Sequence, residues 1–256
     1  METGQGYVNV TTDEKGITTI AFFHPAQNSL PTALLDQLAS AIQKAGADDQ
    51  TRVIIFKSDG DRTFCAGANF DELLQIKNLK EGMAFFSGFA KVINACRTSS
   101  KMIIGRVHGK AIGGGIGIAS ACDHCFATTN ASIKLSELSI GIGPFVIEPA
   151  VTRKMGLSAF SQLALNAGEF YPAQWAKDKG LFAEVFDTVE EMDMAIAASA
   201  AKMATWSSDA LSALRKTLWH STDHWDSLLT ERAAISGELV LSPSAQSAIG
   251  GLKKAK

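Results

Sequence analysis

Two runs of β-branched and aromatic residues, TTIAFF (18–23) and RVIIFK (52–57), predict strands, and between them Leu30, Leu34, Leu35, Leu38 and Ile42 keep the three- and four-residue spacing of a helix with one buried face. From residue 7 to about 57 the order is therefore strand, strand, helix, strand. A loop holding Asp59, Gly60, Asp61 and Arg62 leads into TFCAGANFDELLQI, where a glycine turn passes into a helical stretch, and Gly82 to Cys96 predicts a further helix. MIIGRVHG (102–109) is the next strand. Gly113 to Cys122 predicts a buried helix opened by glycines, and CFATT and SIKLS are short strands before the loop GIGPF. From about Ser158 the pattern is helical, interrupted by the strand-like AEVF (183–186), with VEEMDMAIAASAAKM clearly amphipathic. No proline-rich linker, fixed-period repeat or long charge block divides the chain. The expectation is an α/β core with a helical tail.

Composition narrows the class. With 46% apolar and 20% charged residues in 256, the chain is a packed protein rather than a disordered or collagen-like one. Its 24 basic and 26 acidic side chains give a formal charge of −2, so no positive field gathers phosphate backbones and no nucleic-acid partner is expected. Four cysteines are too few for a disulfide framework, which fits a reducing, cytoplasmic setting. METGQGYVNVTTDEKG lacks the features of a signal or transit peptide, so no export is expected. The most apolar segment, Ala111 to Ala121, is about half the ~20 residues of a membrane-spanning helix, and no membrane partner is expected.

Candidate chemistry begins with glycines 113, 114, 115 and 117. They complete neither G-x-G-x-x-G nor G-x-x-x-x-G-K-[ST], so a phosphate cradle is disfavoured. Glycines at a helix start still let free N–H groups approach a ligand, with the positive end of the dipole behind them. Cys122-Asp123-His124-Cys125 has no second pair at metal spacing, and buried cysteines are the better reading. His220 and His224, four apart, would share a helix face, but no third metal ligand can be named. No G-x-S-x-G elbow nominates a serine nucleophile. Glu137, set among aliphatic positions in SIKLSELSIGIGPF, is a carboxyl whose pKa burial would raise toward the working range, or else a structural cap or ion-pair partner.

HPAQNSLPTALLDQLASAI, RTFCAGANFDEL, VHGKAIGGGIGIASACD, KLSELSIGIGPF and GLFAEVF follow one another in the order of the motifs R-P-x-x-x-N-x-L, F-C-A-G-A-D-L, V-N-G-x-A-x-G-G-G-x-E-L-A-x-x-C-D, the acid-bearing loop and G-L-V-x-x-V. The chain thereby resembles the crotonase (enoyl-CoA hydratase/isomerase) superfamily over most of its length. The resemblance implies a spiral of ββα repeats over residues 1–195 carrying an acyl-CoA site, and a helical segment over 196–256 that assembles trimers or pairs of trimers. It implies that the backbone N–H groups of Ala68 and Gly114 form an oxyanion hole, each fixed donor of this kind commonly being worth about 3–4 kcal/mol. The residues around Ala26 and the segment Ala66 to Asp71, with Asn69, Phe70 and Asp71 included, would line the CoA channel, Asn69 standing where the family usually has Asp. Coenzyme A enters as part of the substrate, and no separate cofactor or metal is implied.

The departure is Gly117, where two-carboxylate hydratases carry their first glutamate, the second matching Glu137. One carboxyl suffices for a 1,3-proton shift, and SELSIGIGPF is similar to the N-E-T-x-L-G-I-I-A-P-F of mitochondrial-type enoyl-CoA isomerases, so Δ3–Δ2 isomerisation is favoured. The alternatives are 2-enoyl-CoA hydration and acyl-CoA binding without catalysis. In 3-hydroxyisobutyryl-CoA hydrolases a further Asp falls on Phe145, and in 4-chlorobenzoyl-CoA dehalogenases the nucleophilic Asp does; both are disfavoured. Phe145 instead suggests a dry wall beside the acyl chain. Glu148, at an expected helix start, is the nearby substitute carboxylate, with dipole complementation as its plainer role. His24, His108, Lys110 and Asp123 are read as structural, and Lys253 and Lys254 as a solvated tail rather than CoA contacts.

Overall fold

The computed structural model describes residues 6–254, with only the backbone for 252–254. The expectations for residues 1–5 and for the Lys253 and Lys254 side chains lie outside the described residues. The chain opens with β1 (Tyr7–Thr12) and β2 (Ile17–Phe23), an antiparallel pair in register Tyr7 to Phe23, followed by α1 (Thr32–Ala47). Then come β3 (Val53–Ser58), β4 (Thr63–Cys65), α2 (Phe70–Leu73) and α3 (Leu79–Thr98). The next turn is β5 (Met102–Val107), β6 (Lys110–Ile112) and α4 (Gly114–Ala121); the one after is β7 (His124–Thr128), β8 (Ser132–Lys134), a 3-10 turn (Glu137–Ile140), α5 (Glu148–Met155) and α6 (Leu157–Leu165). β9 (Tyr171–Pro172), α7 (Ala173–Asp178), β10 (Glu184–Phe186) and the helices α8 (Val189–Ala204), α9 (Ser208–Leu218), α10 (Trp225–Leu239) and α11 (Pro243–Lys254) complete the order.

Each turn of the spiral gives one strand to each of two sheets. β3, β5 and β7 run parallel in a six-stranded sheet ordered β1-β2-β3-β5-β7-β10, while β4, β6 and β8 run parallel in a four-stranded sheet closed by β9. Strands covered on both sides read as continuous apolar runs, which is why VIIF and MII lack alternation. Phe22 and Phe56 from the larger sheet and Phe64 from the smaller are fully buried together, with the Phe22 ring 5.4 Å from Phe56 and 5.7 Å from Phe64. α8 covers the opposite face, packing Met192, Ile196 and Ala200 on Val53, Ile104 and Phe126. Its start is fixed by a capping box between Thr188 and Glu191.

The α/β spiral with a helical tail matches the sequence reading, with three local differences. Leu30 is not helical: it bridges Ala68, and α1 begins at Thr32. The stretch after TFCAGAN makes a helix of only four residues, α2, because Leu74 to Asn78 turn the chain into α3. His220 and His224 do not share a helix face, since α9 ends at Leu218 and a turn with Ser221 at φ +65° separates it from α10.

The helices beyond α8 are tied to the core by buried polar contacts. Arg215 and Asp123 form an ion pair of 2.9 Å with both side chains almost fully buried. Arg215 also donates to the carbonyls of Cys96, Arg97 and Ser99, and Asp123 accepts from Trp219 Nε1 at 2.8 Å and Ile103 N at 2.8 Å. Every charge in this network has a partner, the condition under which buried ions are tolerated. α10 lies along α3 with Gly82 against Gly237, where a Cβ on Gly82 would come within 2.8 Å of the Gly237 Cα. Among the described residues no helix is long and apolar enough to cross a membrane.

Candidate active site

A cavity of about 720 Å³ opens where the chain leaves β4, β6 and β8. These parallel strands deliver three segments to one place: 66–68 after β4, Gly113 and Gly114 after β6, and Ser136 and Glu137 after β8. α3, the loop 142–147 and α10 supply the remaining wall through Phe85, Phe86, Phe89, Ile142, Val146, Ile147 and Ser236.

The first segment is held by a parallel bridge centred on Leu30, in which Leu30 N donates to Gly67 O at 2.8 Å and Asn69 N donates to Leu30 O at 3.0 Å. Residues 67 and 69 thus turn toward Leu30, and Ala68 between them turns its N–H the other way, with no acceptor within the described protein. Gly67 has φ +89°, and a Cβ there would meet the Ile112 carbonyl oxygen at 3.2 Å and lie 3.9 Å from Gly114 N, so the two segments touch through glycine. Asn69 caps α2 by accepting from Glu72 N at 3.0 Å, work that Asn and Asp do equally well. Glu72 in turn accepts from Thr32 N at 2.9 Å and Thr32 Oγ1 at 2.8 Å, pinning the segment to the start of α1. On the far side of the mouth Asn28 ties the loop 24–29 down, donating to Asp59 O and Thr63 O and accepting from His24 N.

Gly114 is the first residue of α4, so its N–H has no intrahelical partner and finds no other acceptor among the described residues. Two free backbone donors, Ala68 N–H and Gly114 N–H, therefore border one cavity, the second at a helix start.

Glu137 borders the same cavity. The residue is half-buried, but its Oε2 is sealed from solvent and lacks a hydrogen-bond partner. Burial pushes its pKa up from 4.5 to about 7, against a smaller pull from the backbone N–H groups of Glu137 itself and Ser136. Its carboxyl lies directly over Gly113, where a Cβ would fall 2.8 Å from Oε1 and where φ is +53°. Only glycine fits at 113.

Gly117 has different surroundings. A Cβ there would fall 2.5 Å from Ile147 Cγ2 and 3.4 Å from Ile93 Cδ1, so aliphatic carbon fills the space beside this position. Gly117 does not reach the cavity; Ile147 does.

All nine residues singled out from the sequence, Ala26, Ala66, Ala68, Asn69, Phe70, Asp71, Gly114, Glu137 and Phe145, line this one cavity. Glu148 does not: Thr152 Oγ1 donates to it at 2.9 Å and Arg232 Nη2 lies 3.5 Å away, at the start of α5. His24, His108, Lys110 and Asp123 also stay outside. His108 is buried beside Arg106, with its pKa lowered to about 4 by burial and then by that guanidinium. All four cysteines are buried free thiols, and no group of three metal-ligating side chains occurs among the described residues. Gln27 and Ser29, beside Ala26, line the cavity with it, whereas sequence reasoning missed Lys134, Ile147 and Ser236 as lining residues. Nothing in the sequence signals Ser236, which comes from about a hundred residues beyond Glu137 on a helix whose partner, α3, is set by tertiary packing.

Comparison with known proteins agrees with this geometry. Residues 12–248 match the family model for enoyl-CoA hydratase/isomerase. A 2,3-dehydroadipyl-CoA hydratase of Escherichia coli (strain K12) is 32% identical over 200 residues, 77% of this chain and 76% of that protein. A short-chain-enoyl-CoA hydratase of Clostridium acetobutylicum is 29% identical over 190 residues, 73% of this chain and 72% of that protein. The fold superposes on the crystal structure of an enoyl-CoA hydratase from Bacillus halodurans with TM-score 0.89 and 19% identity, over 96% of this chain and 99% of the other. On an enoyl-CoA hydratase from Mycobacterium avium the TM-score is 0.83 at 23% identity, over 100% and 98% of the two chains. The chain belongs to the enoyl-CoA hydratase/isomerase family, within the crotonase superfamily of enzymes acting on acyl-CoA thioesters.

Proposed function

We propose that this protein is a one-carboxylate enoyl-CoA isomerase that moves a double bond from C3 to C2 of an acyl-CoA thioester. The observation that carries the reading is the contrast between Glu137, whose Oε2 is sealed and unpartnered, and the aliphatic carbon packed against Gly117. Hydration in two-carboxylate relatives needs both acids to hold and activate one water, and here the first of the two positions, Gly117, carries no carboxyl and has Ile147 packed beside it.

In the proposed mechanism the thioester carbonyl oxygen rests on the N–H groups of Ala68 and Gly114. The Glu137 carboxylate removes a proton from C2; the C–H electron pair moves into the C1–C2 bond and the carbonyl electrons onto oxygen, giving a dienolate. The two donors meet the charge where it develops, and the α4 dipole adds to them. The protonated Glu137 then returns the proton to C4 as the electrons move back from oxygen to leave the double bond between C2 and C3. A pKa of about 7 suits an acid that must both take and give the proton near neutral pH. Phe145 and Ile147 on the wall keep water from intercepting the intermediate. Ala26 and residues 66–71 receive the pantetheine arm of CoA, and the helices beyond residue 195 serve assembly into trimers or pairs of trimers.

Hydration is the second reading, favoured by the similarity to proteins described as hydratases. Separate incubation with a medium-chain 3-enoyl-CoA and a 2-enoyl-CoA, followed by ultraviolet absorbance of the conjugated thioester and by product mass, decides between them. The isomerase conjugates the first and leaves the second without added water. Rapid gain of water by the second supports hydration, and binding of both without change supports a non-catalytic acyl-CoA protein.

A further inference from the structure

A polar side chain on the cavity wall takes no part in the proposed reaction. Ser236 on α10 is 1% exposed and lines the cavity, and its hydroxyl makes no hydrogen bond with any described residue. Its place is fixed on both sides. The next residue, Gly237, packs on α3 so closely that a Cβ there would come within 2.9 Å of Met83 N. One turn earlier on the same face, Arg232 holds Nη2 3.5 Å from Glu148 Oε2, next in the chain to Ile147. The hydroxyl is thus set where α10 meets both α3 and the segment 142–147. Every side chain that these two contribute to the cavity is apolar, Phe85, Phe89, Ile142 and Ile147 among them. A buried hydroxyl without a partner is costly, because the bonds it made to water are not replaced.

We infer that Ser236 is a specificity-determining residue whose hydroxyl donates a hydrogen bond to an uncharged oxygen on the distal part of the acyl chain, so that the substrate class is an oxo-substituted acyl-CoA thioester. With CoA along Ala26 and residues 66–71 and the thioester at Ala68 and Gly114, the wall built by α3, the segment 142–147 and α10 is left for carbons beyond C4, since C2 and C4 both stand at Glu137. A plain alkyl chain would cover the hydroxyl and leave it unbonded, whereas an oxygen at its level completes it. That oxygen is uncharged because this wall supplies no cation. Lys134, the cation among the lining residues, is on β8, where its carbonyl accepts from Gly113 N at 2.9 Å, and Arg232, beside Glu148, does not line the cavity. A carboxylate set against hydrocarbon without a counter-charge costs far more than a ketone does. The inference rests on the reading of the cavity as an acyl-CoA site, but not on which reaction follows.

The test is binding, read by calorimetry with saturated thioesters that have no double bond to move: octanoyl-CoA and its 5-oxo, 6-oxo and 7-oxo derivatives, which walk one carbonyl along a chain of constant length. The variants are Ser236→Ala and Ser236→Thr, the second of which keeps the hydroxyl. For at least one of the ketones, affinity relative to octanoyl-CoA is expected to be about tenfold higher in the wild type than in Ser236→Ala, with Ser236→Thr restoring most of the difference. Octanoyl-CoA itself should bind Ser236→Ala at least as well as the wild type. The same ketone-to-octanoyl ratio in wild type and Ser236→Ala at all three positions overturns the inference. So does a uniform weakening of all four ligands by Ser236→Ala, which marks a structural part for the side chain, or a preference lost equally in Ser236→Thr, which marks packing rather than the hydroxyl. A wild-type protein that binds none of the four overturns the acyl-CoA reading itself.

Discussion

The sequence resemblance sets Gly117 and Glu137 at the two positions of the paired acids of two-carboxylate hydratases, and the structure surrounds them with opposite environments. Gly117 lies in α4, all eight residues of which are buried, with Ile147 and Ile93 packed against its Cα. Glu137 opens a short 3-10 turn at the cavity wall, with one carboxyl oxygen sealed and unpartnered. The difference teaches that a glycine at 117 is matched by its packing as well as by its own missing side chain. The space beside Gly117 is filled with hydrocarbon from a different segment, while burial of the Glu137 carboxyl raises its pKa.

Removing the acid breaks the comparison most completely. Glu137→Gln is expected to lower kcat by at least about a thousandfold while leaving CoA-ester binding within a few-fold, measured by steady-state kinetics and calorimetry. Next comes Gly114→Ala, whose Cβ would fall 2.2 Å from the Phe89 ring; displacement of the α4 start should cost about a hundredfold in kcat. Ile147→Ala opens the space beside Gly117. It should destabilise the fold by about 2–4 kcal/mol in denaturant melts and raise the share of hydrated product, which mass spectrometry detects.

The smallest effects are in pH. With Glu137 as the initiating base, kcat/KM should rise with pH and level off above about 7, as the carboxyl ionises. Stability should run the other way. The folded state holds this proton more tightly than the unfolded chain, so the favourable term is complete below the unfolded value of 4.5 and is lost as pH rises through about 7. Above that pH the cost is about 2 kcal/mol once solvent screening is allowed for, and Glu137→Gln should recover it as a higher Tm.

The strands of the larger sheet were legible because VIIF and MIIGRV bury both faces and so read as unbroken apolar runs. The smaller sheet was less so: β4 and β6 are three residues each and carry no period long enough to see. Gly114 and the segment 66–71 were reached through the motif order of the family resemblance, which is readable because the backbone at Gly67 and Gly113, with φ +89° and +53°, admits glycine, and Glu137 stood out as an acid among aliphatic positions. Ile147 and Ser236 could not be reached in either way. Their place at the cavity depends on packing between distant segments, and an isoleucine or serine in a helical or loop stretch gives no sign of what it will face. The histidine pair failed for the same reason, because a turn at Ser221 breaks the helix on which the spacing argument depended.

The central claim is that a single carboxyl, behind a wall that water does not cross, lifts the proton from C2 and delivers it to C4. A 3-enoyl-CoA carrying deuterium at C2, turned over in ordinary water, tests it directly when the 2-enoyl product is analysed for deuterium at C4. The account predicts that a measurable fraction of the label is transferred to C4 and that Glu137→Gln abolishes both turnover and transfer. A product whose C4 hydrogen comes wholly from solvent, or one that has gained water, would contradict it.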